Sequence, residues 1–267
     1  MKKFSLKLRN LYKRTQKKIT ATGKKQKFNN NPHADEIGTD FFLYSYVDEE
    51  GNFDYERYRH IQEVGNINKL DHVWVLEENI IFLSKYLKKK LGKVSFGICH
   101  GTRRGLEQKW FRKYLGADVI GTEISETATQ FPHTIQWDFH EVKHEWLGKA
   151  DFIYSNSFDH SYDPEKCLSA WMSCLRPGGL CIIEHTTGHH VVRANQLDPF
   201  GAHLVQMPYL ITLWGKGRFG VREILFGPVK KDDVEYTAYI MVQNWEGSAP
   251  SRSYTRKART SRRSSNG

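Results

Sequence analysis

Apolar and polar positions change rhythm twice along this chain. From His72 to Leu91 the apolar residues Val73, Leu76, Ile80, Leu83, Leu87 and Leu91 return three or four positions apart. That spacing predicts an amphipathic helix over 72–91. Lys88–Lys90 suit its negative end and Gly92 follows as a stop. Short apolar runs then alternate with helical stretches. Strands are predicted at "KVSFGICHG" (93–101), "ADVIGTEIS" (117–125), "HTIQWDF" (133–139), "ADFIYSNS" (150–157) and "LCIIEHTT" (180–187). Helices are predicted at "TRRGLEQKWFRKYLG" (102–116) and "DPEKCLSAWMSCLRPGG" (163–179), the second with Pro164 near its start and Pro177-Gly178-Gly179 after its end. After Gly188 the pattern is less regular. "FGVREILFGP" and "VEYTAYIMVQN" read as two strands joined by Lys-Lys-Asp-Asp, most simply antiparallel. Ahead of all this, 41–62 mixes aromatic with acidic residues, and the turn chemistry of Asp48–Asn52 suggests a hairpin.

Strand, helix, strand at this spacing means βαβ units. The expected fold is α/β: a doubly wound, mostly parallel seven-stranded sheet with a terminal antiparallel strand pair, plus an N-terminal helical or hairpin extension. The expected divisions are a basic tail at 1–30, an extension at 31–92, a Rossmann-like domain at 93–246 and a Ser/Arg-rich tail at 247–267.

Composition changes the picture in three ways. The chain has 267 residues, 39% hydrophobic, enough for one substantial core. No run approaches the ~20 apolar residues of a membrane span, and the basic start has no apolar stretch behind it that would mark a secretory signal. Cys99, Cys167, Cys174 and Cys181 form no C-x-x-C pair, which points to free thiols in a reducing, cytoplasmic compartment. The net charge of +10 is confined to the ends: 17 of the 40 Lys and Arg lie in 1–30 and 247–267, leaving 23 against all 30 acids in between. The tails are either solvated ends or contacts for an anionic membrane surface or nucleic acid. Phe4, Leu8, Leu11, Tyr12 and Ile19 fall near helical spacing among the bases, which fits a helix lying on a membrane surface.

Candidate chemistry gathers at the strand ends, where open parallel sheets bind ligands. The first strand runs into Gly97-Ile98-Cys99-His100-Gly101-Thr102-Arg103, small residues before a helix N-terminus. The second ends in Glu123-Ile124, a carboxylate placed to accept two ribose hydroxyls. The third ends in Asp138-Phe139, the fourth in Ser155-Asn156-Ser157 and the fifth in Glu184-His185.

With these pieces in order, "FGICHGTRRG", "VIGTEIS", "WDFH", "DFIYSNSFDHSYDP" and "LRPGGLCIIEH", the chain from about Val94 to Asn244 resembles a class I S-adenosylmethionine-dependent methyltransferase. The resemblance implies S-adenosyl-L-methionine as cofactor. It places the loop Cys99–Gly101, flanked by Gly97 and Thr102, under the methionine part and sets Glu123 on the ribose, with Ile124 beside it. Asp138 takes the adenine amino group, Phe139 lies along the ring, and Asn156 and Ser157 face the transferred methyl. Two positions depart from the family pattern: Gly97 stands where an acid is usual, and Cys99 and Arg103 replace the outer glycines of G-x-G-x-G. Arg103 is either a partner for the cofactor's carboxylate or a solvent-facing side chain.

One motif points elsewhere. His140-Glu141-Val142-Lys143-His144 matches the H-E-x-x-H of zinc proteases. Such a match makes a metal site only on a helix with a third ligand. Here it follows directly on a strand end, so no metal is expected. For proton transfer from an acceptor the candidates are Asp159, His160 and His185. The expected acceptor is a small molecule. The alternatives are an RNA or protein methyltransferase docking through its tails, an inactive binding protein on the same fold, and a nicotinamide-dependent oxidoreductase, which also uses an acid for ribose.

Overall fold

The computed structural model describes residues 41–245. Both basic tails, and the amphipathic pattern within 1–30, lie outside the described residues. The chain runs through β1 (Phe42–Leu43), α1 (Tyr55–Asn68), α2 (Glu77–Leu91), β2 (Phe96–His100), α3 (Leu106–Leu115), β3 (Asp118–Glu123), β4 (Thr134–Gln136) and β5 (Ala150–Ser155). It continues through α4 (Pro164–Cys174), β6 (Leu175–Thr186), β7 (Phe200–Gly201), α5 (Met207–Gly215), β8 (Phe219–Phe226) and β9 (Thr237–Asn244).

Seven strands form the main sheet in the order β4-β3-β2-β5-β6-β9-β8. The first five are parallel; β9 runs antiparallel to β6, and β8 to β9. Continuous apolar strands arise because both faces are covered. On one face Cys99, Phe152, Tyr154 and Ile182 meet Ile80, Leu83 and Leu87 of α2 and Phe111 of α3. On the other, Ile98, Ile153 and Ile183 meet Trp171 of α4 and Leu210 and Trp214 of α5. No helix among the described residues is long and apolar enough to cross a membrane.

The absence of an acid at Gly97 has a packing cause. A Cβ there would lie 2.2 Å from Cε1 of the buried Phe152 ring, so the ring occupies the space a side chain would need.

Several elements differ from the sequence expectation. The second helix starts at Glu77, not His72, because the chain is still extended at Leu76. β4 stops at Gln136, which leaves Trp137, Asp138 and Phe139 outside the ladder. β6 begins at Leu175, so the turn-forming Pro177-Gly178-Gly179 lies within the strand's span. α5 occupies part of the segment read as less regular. The turn at Asp48–Asn52 is present, closed by a Val47–Phe53 bridge and by bonds from the Glu50 and Asn52 N–H groups to Asp48 Oδ1.

Within the expected N-terminal extension the chain forms α1, a helix whose position the apolar pattern did not mark. Asp54 caps it by accepting from the Arg57 N–H at 2.9 Å. It lies across the carboxyl ends of the strands and is tied to the segment before β7. Gln62 Nε2 donates to the Leu197 carbonyl at 2.9 Å and the Tyr46 hydroxyl to the Gln196 carbonyl at 2.6 Å. β1 pairs with β7 beside them.

Candidate functional site

The chain turns sharply where β2 leaves the sheet. The Gly101 and Thr102 N–H groups both donate to the Thr122 carbonyl, at 2.9 and 3.0 Å. Gly101 has φ +71°, and a Cβ on it would sit 2.6 Å from Cβ of Ser157, so only glycine fits. Ser157 closes the loop by donating from Oγ to the Gly101 carbonyl at 3.1 Å. This brings the ends of β2 and β5 into contact, with backbone exposed between them.

Glu123 ends β3 with a buried carboxylate. Its Oε2 accepts from the Arg103 N–H at 3.0 Å and Oε1 from the Ser125 N–H at 3.2 Å. Burial raises its pKa, against these donors and the Arg103 charge. Asp138 accepts at Oδ1 from the His140 N–H and from His140 Nδ1, and at Oδ2 from the Tyr55 hydroxyl at 2.8 Å. Burial works against its ionisation, but these bonds outweigh it and hold the carboxyl below its ordinary range. Glu123, Ile124, Asp138 and Phe139 line one cleft with Gly101, Arg103 and Ser157. α1 roofs it with Tyr58, Gln62 and Asn66, leaving a cavity of about 50 Å³.

A second cavity of about 360 Å³ opens beside the first. Gly101, Thr102, Arg103, Asn156, Ser157, Asp159 and His160 contribute to its wall, joined by Glu107, Glu184, His189 and Asp198. Arg103 lines both cavities. Its backbone has φ +40°, unusual for a side-chain-bearing residue. Its Nε has no hydrogen-bond partner, and burial lowers its pKa despite the nearby Glu123. A guanidinium so placed favours an anionic ligand group.

Four residues singled out in the sequence line neither cavity. Gly97 packs on Phe152 and Cys99 is buried in the core. His100 bonds through Nδ1 to Thr122 Oγ1 at 2.8 Å and stacks on Trp171; burial depresses its pKa to about 3. His185 donates from Nε2 to the Ala202 carbonyl at 3.0 Å, so its Nδ1 accepts from the Tyr236 hydroxyl at 3.1 Å. Burial also takes its pKa to about 3.

The H-E-x-x-H match does not build a metal site. His140 is buried with both nitrogens engaged, Nδ1 on Asp138 at 2.7 Å and Nε2 on Ser161 Oγ at 2.8 Å. Sequence reasoning expected a helical or hairpin cap from 31–92 but missed the bounds of α1 and the approach of Asp198 to His160. The Asp54 cap is the one local signal for α1.

Comparison with known proteins agrees with this architecture. Residues 98–183 match a family model described as a methyltransferase domain. No curated protein sequence matches the chain. Among solved structures it is similar to the Burkholderia thailandensis 1,6-didemethyltoxoflavin-N1-methyltransferase, with bound 1,6-didemethyltoxoflavin and S-adenosylhomocysteine. The TM-score is 0.56 and the identity 16%, over 74% of this chain and 92% of that one. It is also similar to the plantazolicin methyltransferase BpumL, in complex with a triazolic desmethylPZN analog and SAH. There the TM-score is 0.52 and the identity 13%, over 71% of this chain and 96% of that one. Glycine turn, acid-ended strands and antiparallel closing pair thus agree with the matched model: residues 98–183 match a methyltransferase domain, set in a class I, Rossmann-like fold.

Proposed function

We propose that this chain transfers a methyl group from S-adenosylmethionine to a polar small molecule held in the larger cavity. The observation that carries this reading is the convergence of Glu123 and Asp138, from two different strand ends, on one cleft beside the Gly101 turn. The residues fit the cofactor: a carboxylate for a diol, a second for an amino group, a glycine whose missing side chain leaves room, and a cation for a carboxylate. Bound there, the cofactor supplies a methyl group already activated on a sulfonium.

The chain's own work is then alignment and exclusion of water. Glu123 is held in place by two backbone donors and accepts from the ribose hydroxyls. Asp138, fixed by His140, presents Oδ2 to the base, and Phe139 lies along it. Arg103 neutralises the carboxylate of the methionine part. Asn156 and Ser157 border the passage to the larger cavity, where Asp159 and His160 are the groups placed to take a proton from the acceptor. His185 is walled off from that cavity, with both nitrogens engaged. The small-molecule reading is supported by the setting, since the cavity is walled by the 69–79, 101–107, 156–160, 184–198 and 231–237 segments. The two structural relatives act on small molecules by their names, which supports it.

Ligand pockets ordinarily occupy ~300–1,000 Å³, far more than the nucleoside cleft of about 50 Å³. The cofactor would therefore extend along the shared wall of Gly101, Arg103 and Ser157 into the larger cavity. Calorimetric titration with S-adenosylhomocysteine, with NAD in parallel, tests the reading. The expected result is one saturable site for the first ligand and none for NAD, lost in Glu123→Ala. A chain that binds neither, or that prefers NAD, overturns it.

A further inference from the structure

Asp159, His160 and Asp198 meet in the wall of the larger cavity, where each offers one ligand atom within 4.8 Å of the others. They come from two separate stretches of chain, the turn after β5 and the segment before β7. Two features of their hydrogen bonding point to a missing cation.

The first is the tautomer of His160. Gln62 Nε2 donates to the Leu197 carbonyl, which fixes the amide and turns its oxygen toward His160 Nδ1, 2.8 Å away. An amide oxygen only accepts, so Nδ1 carries the proton. In the neutral ring, Nε2 turns a lone pair toward Asp198 Oδ1 at 3.5 Å, a pairing that a cation between them can bridge.

The second is Asp159. The residue is nine-tenths buried, and its Oδ1 has no hydrogen-bond partner. The other oxygen faces His189 Nε2 at 3.8 Å. His189 Nδ1 accepts from the Thr186 N–H at 3.2 Å, so Nε2 holds the proton there and His189 is a donor, not a ligand. A buried carboxylate oxygen with nothing to accept is costly unless a cation completes it.

We propose that Asp159, His160 and Asp198 bind a divalent metal ion. The 3.5 Å between Nε2 and Oδ1 is too long for a charge-assisted hydrogen bond, yet close to the ~3.4 Å separating two ligands at ~2.1 Å from a tetrahedral ion. One imidazole and two carboxylates suit Mn²⁺ or Zn²⁺ better than Ca²⁺. Lys69 stands 4.0 Å from Asp198 Oδ1 at the end of α1, and its side chain, 30% exposed, would have to give up that oxygen to the ion. With three protein ligands the ion keeps open positions toward the cavity. There it would hold an acceptor with adjacent oxygens, such as a diol or hydroxy acid, and lower the pKa of the hydroxyl to be methylated, in place of proton removal by Asp159 and His160, whose lone pairs the ion would then occupy. That role rests on the methyl-transfer reading; the ion site itself does not.

The test is titration of the full chain, stripped with chelator, with MnCl₂ followed by electron paramagnetic resonance, and with ZnCl₂ followed by calorimetry. The expected result is one ion per chain for at least one metal, weakened at least tenfold in both Asp198→Asn and Asp159→Asn. Asp198 is the more exposed, so Asp198→Asn keeps the test valid if burial makes Asp159→Asn unstable. Failure of both metals to saturate at one per chain, or binding that survives Asp198→Asn, overturns the proposal. S-adenosylhomocysteine titrated into the same samples separates the two readings: a chain that takes it but takes no metal loses the ion site and keeps the methyl-transfer assignment.

Discussion

In the proposed complex the cofactor's base donates to Asp138 Oδ2, the oxygen that already accepts from the Tyr55 hydroxyl, so removing that hydroxyl should tighten cofactor binding. The bond to Oδ2 is 2.8 Å long. Burial first, and the Asp138 charge next, raise the phenol's pKa, so the tyrosine stays a donor. A hydrogen bond to a charged group contributes ~1.5–3 kcal/mol net. The ring is partly exposed, which places this one near the lower end, about 1.5 kcal/mol, or about tenfold in an equilibrium constant. The Asp138 side chain is only 10% exposed, so water replaces the lost donor poorly in Tyr55→Phe. The ligand-free chain is thereby destabilised relative to the complex. Calorimetry with S-adenosylhomocysteine on parent and variant should show a Kd about tenfold lower for Tyr55→Phe, with a lower melting temperature for the ligand-free chain. An unchanged or higher Kd would refute the reasoning, since Tyr55 would then be no competitor, or would itself contact the cofactor.

Three further outcomes are expected. Arg103→Ala should weaken S-adenosylhomocysteine about tenfold, the scale of one lost charge-assisted contact, while leaving adenosine, which lacks the carboxylate, unaffected; equal losses for both would assign Arg103 to the loop's shape instead. Gly97→Asp, which restores the acid usual at this strand end, should cost ~3 kcal/mol or more because its Cβ meets the Phe152 ring, read as a fall in denaturation midpoint with no gain in cofactor affinity. Burial pushes the Glu107 carboxyl up to about 8, so it keeps its proton in the fold long after an unfolded chain would release it. Its contribution to stability is complete below the unfolded value and is lost as pH rises toward 8. Glu107→Gln should therefore gain on the parent by on the order of 3 kcal/mol between pH 5 and 8.5 in denaturant titrations, and parallel curves would count against a neutral Glu107.

The sheet was legible in the sequence because its strands are buried on both faces and read as unbroken apolar runs. The same logic explains why the bounds of α1, within the expected extension, were not. Its buried positions, Tyr58, Gln62, Gly65 and Asn66, face a polar cleft instead of an apolar core, so the helix carries no apolar stripe. Within the site, Glu123, Asp138 and Gly101 were legible because each stands at a strand end whose place in the fold is fixed. The larger cavity was not, since its walls come from 69–79, 101–107, 156–160, 184–198 and 231–237, which only the folded chain brings together. The absence of an acid at residue 97 was visible in the sequence, but its cause, the ring of Phe152, was not.

The clasp between the N-terminal extension and the segment before β7 ties the two together. β1 is paired to β7, and Gln62 reaches Leu197, next to the Asp198 that borders the larger cavity. A displacement at α1 would therefore be felt at the Asp198 wall of the larger cavity. Occupation of the nucleoside cleft should then alter acceptor affinity, and the acceptor should alter nucleoside affinity by the same factor.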